Sequence, residues 1–202
     1  MGPAELPGLL DFLRAAERLK STTRTGYTSI GQQESVAEHT WRLCLMALVL
    51  RPAFPEIDFA KLVKICIIHD LGEAIHGDVP APEQARRAAE GATAGKAHQE
   101  RQDLLELVAP LPAVVRDEIV ALWDEYEGAQ TSEAKLAKGL DKLETIMQHN
   151  QGLNPADFDY RFNLGYGRRH TEDIPLIAQL RAILDRETEA RARESDAKSA
   201  PP

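Results

Sequence analysis

Apolar residues in this chain recur almost throughout with the spacing of an α-helix, and that period excludes most of the folds open to a chain of 202 residues. Leu9, Leu10, Phe12, Leu13, Ala16 and Leu19 mark one face of a helix over residues 9–20. Further helices are expected over 35–50, 58–71, 83–108, 112–127, 132–150 and 173–186, with Gly91 and Gly95 weakening the middle of the fourth. Ser35 followed by Glu38 is a capping box, and Asp58 is a second N-cap. Alternating β-branched runs between turn clusters are absent, so no strands are expected. Residues 21–33 and 72–82 read as loops, the first bearing Arg24 and Tyr27 and the second Gly77, Pro80 and Pro82. The expected architecture is all-α, a single compact helical bundle over 1–187. Residues 188–202, charged and poor in apolar side chains, read as a tail without fixed structure.

Composition narrows the partners. A net charge of −8 with only 5% aromatic residues argues against broad binding to nucleic acid polymers or anionic membranes. The longest apolar run, Leu43 to Leu50, is too short to span a bilayer, and the N-terminus carries no secretory signal. Cys44 and Cys66 sit in apolar helical runs and read as core thiols suited to a reducing cytoplasm.

Within these helices a few polar residues sit where apolar ones belong. His69-Asp70 ends the run Val63-Lys64-Ile65-Cys66-Ile67-Ile68. His39 shares a helix face with Val36, Leu43 and Met46; Asp141 is flanked by Leu136, Leu140, Leu143 and Met147. Each alone has a plainer explanation: a hydrogen-bonded core histidine, or a solvated carboxylate paired with Lys138 or Lys142. Together, two imidazoles and two carboxylates from three helices form a four-ligand set for a divalent metal, with room for water. Such donors suit Mn, Co, Mg, Zn, Fe or Ni, and the sequence does not choose among them.

The order His39, His69-Asp70, Asp141 resembles that of the HD-domain metal-dependent phosphohydrolases. Arg24-Thr25-Gly26-Tyr27, Glu34-Ser35-Val36-Ala37-Glu38-His39, His69-Asp70-Leu71-Gly72-Glu73, Gly77-Asp78 and Leu140-Asp141-Lys142-Leu143-Glu144 are similar to the YfbR-type 5′-deoxynucleotidase branch. The likeness covers roughly residues 8–165. It implies an HD-domain bundle, a homodimer, and hydrolysis of (deoxy)nucleoside 5′-monophosphates to nucleoside and phosphate. It also implies that Arg24 meets the 5′-phosphate and that Asp78 contacts substrate and supports catalysis. Tyr27 departs from the branch, which carries a tryptophan there against the sugar; weaker or altered selection of deoxyribose is expected.

The chemistry follows from the residue types. One metal held by His39, His69, Asp70 and Asp141 activates water and polarises a phosphoryl oxygen. Glu73, three residues beyond Asp70, is within reach of that water as general base. A guanidinium such as Arg24 matches phosphate oxygens bidentately. Two alternatives stay open: an HD phosphohydrolase acting on another phosphate ester or anhydride, such as an alarmone or a cyclic nucleotide, and a nucleotide-binding regulator without turnover. His76 is near enough in sequence to reach the pocket, whereas His98, His149 and His170 have polar sequence neighbours. Arg161, Arg168 and Arg169 either line the substrate entrance or form a solvated loop. Trp123 and Tyr126 are expected to pack a helix end or a subunit contact.

Overall fold

A computed structural model of the chain describes residues 2–80, 83, 86 and 93–199. The bundle begins with α1 (Leu6–Ala16), which tightens into a 3-10 turn over Glu17–Lys20. Then come α2 (Val36–Leu50), α3 (Phe59–Ile68) and a one-turn α4 (Glu73–His76). The C-terminal half holds α5 (Thr93–Val108), α6 (Ala113–Gly128), α7 (Ser132–Gln151), short turns α8 (Phe162–Gly165) and α9 (Arg168–Thr171), and α10 (Pro175–Ser199). Both expected caps are made. Ser35 Oγ accepts from the Glu38 N–H while the Glu38 carboxylate accepts from the Ser35 N–H, and the Asp58 carboxylate accepts from the Lys61 N–H.

The structure departs from the helical pattern in three places. Residues 21–33 are not all loop: β1 (Thr23–Tyr27) pairs antiparallel with β2 (Gln33–Ser35), Thr23 opposite Ser35 and Tyr27 opposite Gln33. The strands are too short for a period of two to show, and the pair is stabilised by lying on α7. The 72–82 loop opens with α4, so Glu73 sits on a helical turn; Gly77, at φ +86°, ends that turn where a side chain would be strained. Finally, α10 continues far into the stretch expected to be a tail. Leu184, Thr188 and Ala192 recur at one-turn spacing and are buried, and the Thr188 hydroxyl donates to Asn150 Oδ1 at 2.9 Å. Average polarity hid that inward stripe. Residues 84–85 and 87–92 of the expected fourth helix, Gly91 included, lie outside the described residues, as do Pro82 and 200–202.

Helix α7 is the hub, packed on α2, α3, α6, α10 and β1. Two apolar clusters build the core. One gathers Leu43, Ile65, Leu140, Leu143 and Ile146; the other gathers Leu19, Val36, Ile68, Leu71, Leu104 and Trp123. His39 lies between Val36 and Leu43, and His69 follows Cys66 and Ile68, so both imidazoles stand at the seam of the clusters. Each fully buried leucine or isoleucine contributes about 1.5–3 kcal/mol relative to exposure, which keeps the seam rigid. Among the described residues no helix is long and apolar enough to cross a membrane.

Candidate metal centre

Three helices bring the four expected ligands together. His39 is the fourth residue of α2, at the end of its first turn, His69 and Asp70 follow the last residue of α3, and Asp141 sits in the middle of α7. His69 Nε2 lies 3.0 Å from Asp70 Oδ2 and 4.0 Å from Asp141 Oδ1. His39 Nε2 lies 3.3 Å from Asp141 Oδ1 and 3.9 Å from Asp70 Oδ2. Both Nε2 atoms are buried without a hydrogen-bond partner among the described residues. Orphaned buried acceptors are costly and rare. Nitrogen and oxygen atoms that converge at these separations fit donors sharing one divalent ion at about 2.0–2.2 Å each.

The outer atoms of these ligands are fixed by the protein. His39 Nδ1 donates to Glu144 Oε2, and His69 Nδ1 donates to the Cys66 carbonyl at 2.8 Å. Both bonds leave Nε2 as the lone-pair nitrogen. The Tyr126 hydroxyl donates to Asp141 Oδ2 at 2.8 Å, and Lys142 Nζ stands 2.8 Å from the same oxygen, leaving Oδ1 to face the histidines. The indole of Trp123 donates to the His69 carbonyl at 3.2 Å. Trp123 and Tyr126 are thus buried supports of the candidate ligands: Trp123 packs the end of α3, as expected, and neither is exposed for a subunit contact.

The electrostatics call for a cation. Asp70 stands at the C-terminal end of α3, where the helix dipole disfavours negative charge. Burial pushes the Asp70 carboxyl up, yet His69 and Arg24 outweigh it and hold the group well below the usual carboxylate range. Burial likewise opposes Asp141, and Lys142 with the two histidines holds it low. Burial and Arg24 depress His39, but Glu144 and Asp141 prevail and raise it to about 9. Glu73 is pushed up to about 10 by burial and by the charges of Asp70 and Asp78, and its Oε2 is buried without a partner among the described residues.

Arg24 joins this cluster from β1. Its Nη1 donates to Asp70 Oδ2 at 3.0 Å and its Nη2 to the Thr145 hydroxyl at 3.1 Å. The charge of Asp78, just past Gly77, acts on both Arg24 and Glu73. Tyr27 is anchored by its backbone. Its N–H donates to Asn154 Oδ1 at 3.2 Å, its carbonyl accepts from Gln148, and its ring is half-buried.

Other expected participants stand elsewhere. His76 is largely exposed and bonds Asp103 at 2.9 Å. His149 is buried, against its polar sequence neighbours: its Nδ1 meets Asn163 Oδ1 and its ring lies edge-on to Phe158. Arg161 pairs with Asp196, and Arg168 with Glu172 and Asp185, so these arginines tie the 154–171 segment to itself and to α10. Glu34, Arg42, Glu144 and Thr145 also stand at the site, beyond the residues expected from the sequence. A signal existed for part of this: Asp141, Glu144, Thr145, Gln148 and His149 follow the i, i+3, i+4, i+7, i+8 rule of a single helix face.

A family model described as HD domain matches residues 16–181. The chain is similar to the 5′-deoxynucleotidase HDDC2 of Bos taurus, 31% identical over 86% of this chain and 84% of that one. It is also similar to the Xenopus laevis protein of the same name, 32% identical over 85% of each. Among solved structures, a conserved hypothetical protein from Pyrococcus furiosus superposes with TM-score 0.62 at 30% identity, over 86% of this chain and 99% of that one. A predicted metal-dependent phosphohydrolase from Magnetospirillum magnetotacticum MS-1 superposes with TM-score 0.72 over 95% and 97%; at 22% identity that likeness carries the fold alone. A family match across most of the chain, with relatives above 30% identity along most of their own length, makes this protein a member of the HD-domain family.

Proposed function

We propose that this protein is a metal-dependent 5′-nucleotidase that hydrolyses (deoxy)nucleoside 5′-monophosphates to nucleoside and phosphate. The observation that carries the reading is the pair of buried Nε2 atoms of His39 and His69, unpartnered among the described residues and facing Asp70 and Asp141, with Glu73 and Arg24 beside them. Relatives named 5′-deoxynucleotidase support the substrate class.

His39, His69, Asp70 and Asp141 would hold one divalent ion per chain, of the Mn, Co, Mg, Zn, Fe or Ni type. When bound, it supplies a Lewis acid and lowers the pKa of water toward about 7. Glu73 is the general base: burial, Asp70 and Asp78 raise it to about 10 in the metal-free protein, and the positive charge of a bound divalent ion would lower it so that the carboxylate is free to take a proton from the attacking water. Arg24 faces the phosphoryl oxygens, to which its two terminal nitrogens present a planar fork. Asp78 faces the sugar or the leaving 5′ oxygen. Tyr27 stands at the sugar side with a smaller ring than tryptophan.

Phosphate release from dAMP, dTMP, AMP and p-nitrophenyl phosphate, measured with Mn, Co, Mg and Zn beside an Asp70→Ala control, tests this. Metal-dependent release from 5′-monophosphates, lost in the control, is expected. No release from any monophosphate would shift the function to another phosphate ester or anhydride. In the same assay Tyr27→Trp should raise the dAMP to AMP ratio; an equal or lower ratio removes Tyr27 from sugar selection.

A homodimer in the cytoplasm is part of the proposal. It is supported by an outward stripe on α2, where Trp41, Leu45, Leu48 and Val49 are exposed, and by the unpaired thiols Cys44 and Cys66. A monomer by light scattering would remove the dimer.

A further inference from the structure

Behind the metal centre, two buried carboxylates join the ligand His39 to the substrate-facing Arg24. Glu144 is 0% exposed and Glu34 is 4% exposed. Glu144 Oε2 accepts from His39 Nδ1, and Glu144 Oε1 accepts from Arg42 Nε at 2.6 Å. The same guanidinium reaches the other carboxylate, with Arg42 Nη2 at 3.7 Å from Glu34 Oε1. The second oxygen of Glu34 lies 3.8 Å from Arg24 Nε. Arg24 then closes the circuit on Asp70 and Thr145.

Donor atoms of Glu34, His39 and Glu144 lie within 4.8 Å of one another, close enough to suggest a second ion. Arg42 already supplies the positive charge there, 2.6 Å from Glu144. Glu144 lies between His39 and Arg42, and Glu34 lies beside both guanidiniums; removing one partner of such a buried pair leaves the other uncompensated. The circuit therefore holds five side chains in register, and two of them, His39 and Arg24, point at the chemistry.

We propose that Glu34 and Glu144 are positioning residues with divided roles. Glu144 fixes the imidazole of His39 for the metal, Glu34 fixes the guanidinium of Arg24 for the substrate phosphate, and Arg42 serves both. For Glu144 the cause is tautomeric: a carboxylate accepting from Nδ1 holds the lone pair at Nε2 and makes it more basic. For Glu34 the cause is directional. Arg24 leaves a short strand, and Asp70 and Thr145 hold only its terminal nitrogens. The Glu34 carboxylate, 3.8 Å from Nε and so an electrostatic neighbour rather than a hydrogen-bond acceptor, biases the plane of the fork. The identity of the anion rests on the nucleotidase reading; the division of roles does not.

The test compares Glu34→Gln, Glu34→Asp, Glu144→Gln, Arg24→Ala and the double variant Glu34→Gln/Arg24→Ala. Manganese affinity is measured by calorimetry, and inorganic phosphate affinity on the manganese-loaded protein, so neither readout needs turnover. Glu144→Gln should weaken manganese by about 10–100-fold, the range for outer partners of metal-bound histidine. Glu34→Gln should weaken phosphate by about tenfold, the worth of a charge-assisted contact. Its manganese affinity should stay within about twofold, as expected of sites that do not share a partner. In the Arg24→Ala background Glu34→Gln should add nothing, because it acts through that arginine. Glu34→Asp keeps the charge for folding and loses the reach, so it should repeat the phosphate defect. The proposal is overturned if Glu34→Gln weakens manganese as much as Glu144→Gln does, or if its phosphate effect persists in full without Arg24. Wild-type protein that binds manganese and phosphate but hydrolyses no 5′-monophosphate would remove the nucleotidase reading and leave the positioning roles standing.

Discussion

The proposed metal cradle and the proposed substrate arm are built differently. His39, His69 and Asp141 project from helices buried between two apolar clusters, and each has an outer atom held by a further group. Arg24 and Tyr27 ride on a two-stranded pair with an irregular register, and Asp78 follows a glycine turn. Packing preorganises the cradle, whereas the arm depends on a few hydrogen bonds and on the face of α7 beneath it. Damage to the cradle should therefore abolish metal binding and turnover together, while damage to the arm should spoil substrate affinity and selectivity.

The strongest way to break this contrast is Asp141→Asn. Losing a ligand carboxylate removes a charge stabilisation worth several kcal/mol, on the order of a thousandfold or more in rate. Calorimetry with manganese should show the binding loss beside the rate loss; intact metal affinity would mean that Asp141 is no ligand.

Next comes Glu73→Gln, with a loss of about 10²–10⁴-fold expected for a general base and metal affinity retained. The raised value of Glu73, about 10 against an ordinary 4.5, adds a stability test on metal-free protein. A carboxyl raised on folding stabilises the fold fully below its unfolded value, and that contribution is lost as pH rises toward the folded value. Thermal melts with chelator should thus show Glu73→Gln growing more stable than wild type as pH rises from about 4.5, with the gap closing at acid pH. A gap independent of pH would show that Glu73 is not buried as a carboxyl.

Gly26→Ala probes the seating of the arm. A Cβ there would stand 3.0 Å from His149 Cδ2 and 3.2 Å from Gln148 Cγ, so these side chains must give by a few tenths of an ångström or β1 must lift from α7. Overpacking of this kind costs about 1–3 kcal/mol. The KM for dAMP should rise more than kcat falls, with manganese affinity kept; an unchanged KM would uncouple the arm from α7. The smallest effect is expected of Arg161→Ala. The Arg161–Asp196 pair is exposed on both sides, and such pairs contribute about 0–1 kcal/mol. A large rise in KM would return the arginine patch to the substrate entrance.

The four ligand candidates were legible because polar side chains interrupt strong helical runs at His39, His69, Asp70 and Asp141, and interruption is visible in one dimension. The helices themselves were legible for the same reason, since their period is local. The β1–β2 pair was not, because strands of five and three residues exist only through their pairing and their contact with α7. The inward stripe of α10 was masked by the charges that surround it.

What the chain determined by itself is the all-helical class, the caps at Ser35 and Asp58, and the kind of donors a metal would meet. What only the tertiary structure decided is which atoms those donors present. Glu144 and the Cys66 carbonyl select the free nitrogen of each histidine, and Tyr126 and Lys142 select the free oxygen of Asp141. Except for Lys142 and Cys66, these partners lie a full turn or much farther from the ligand they set, and His39 and Glu144 are 105 residues apart. Hydrogen bonding acts over about 3 Å of space, and sequence spacing carries no record of such distances between separate helices.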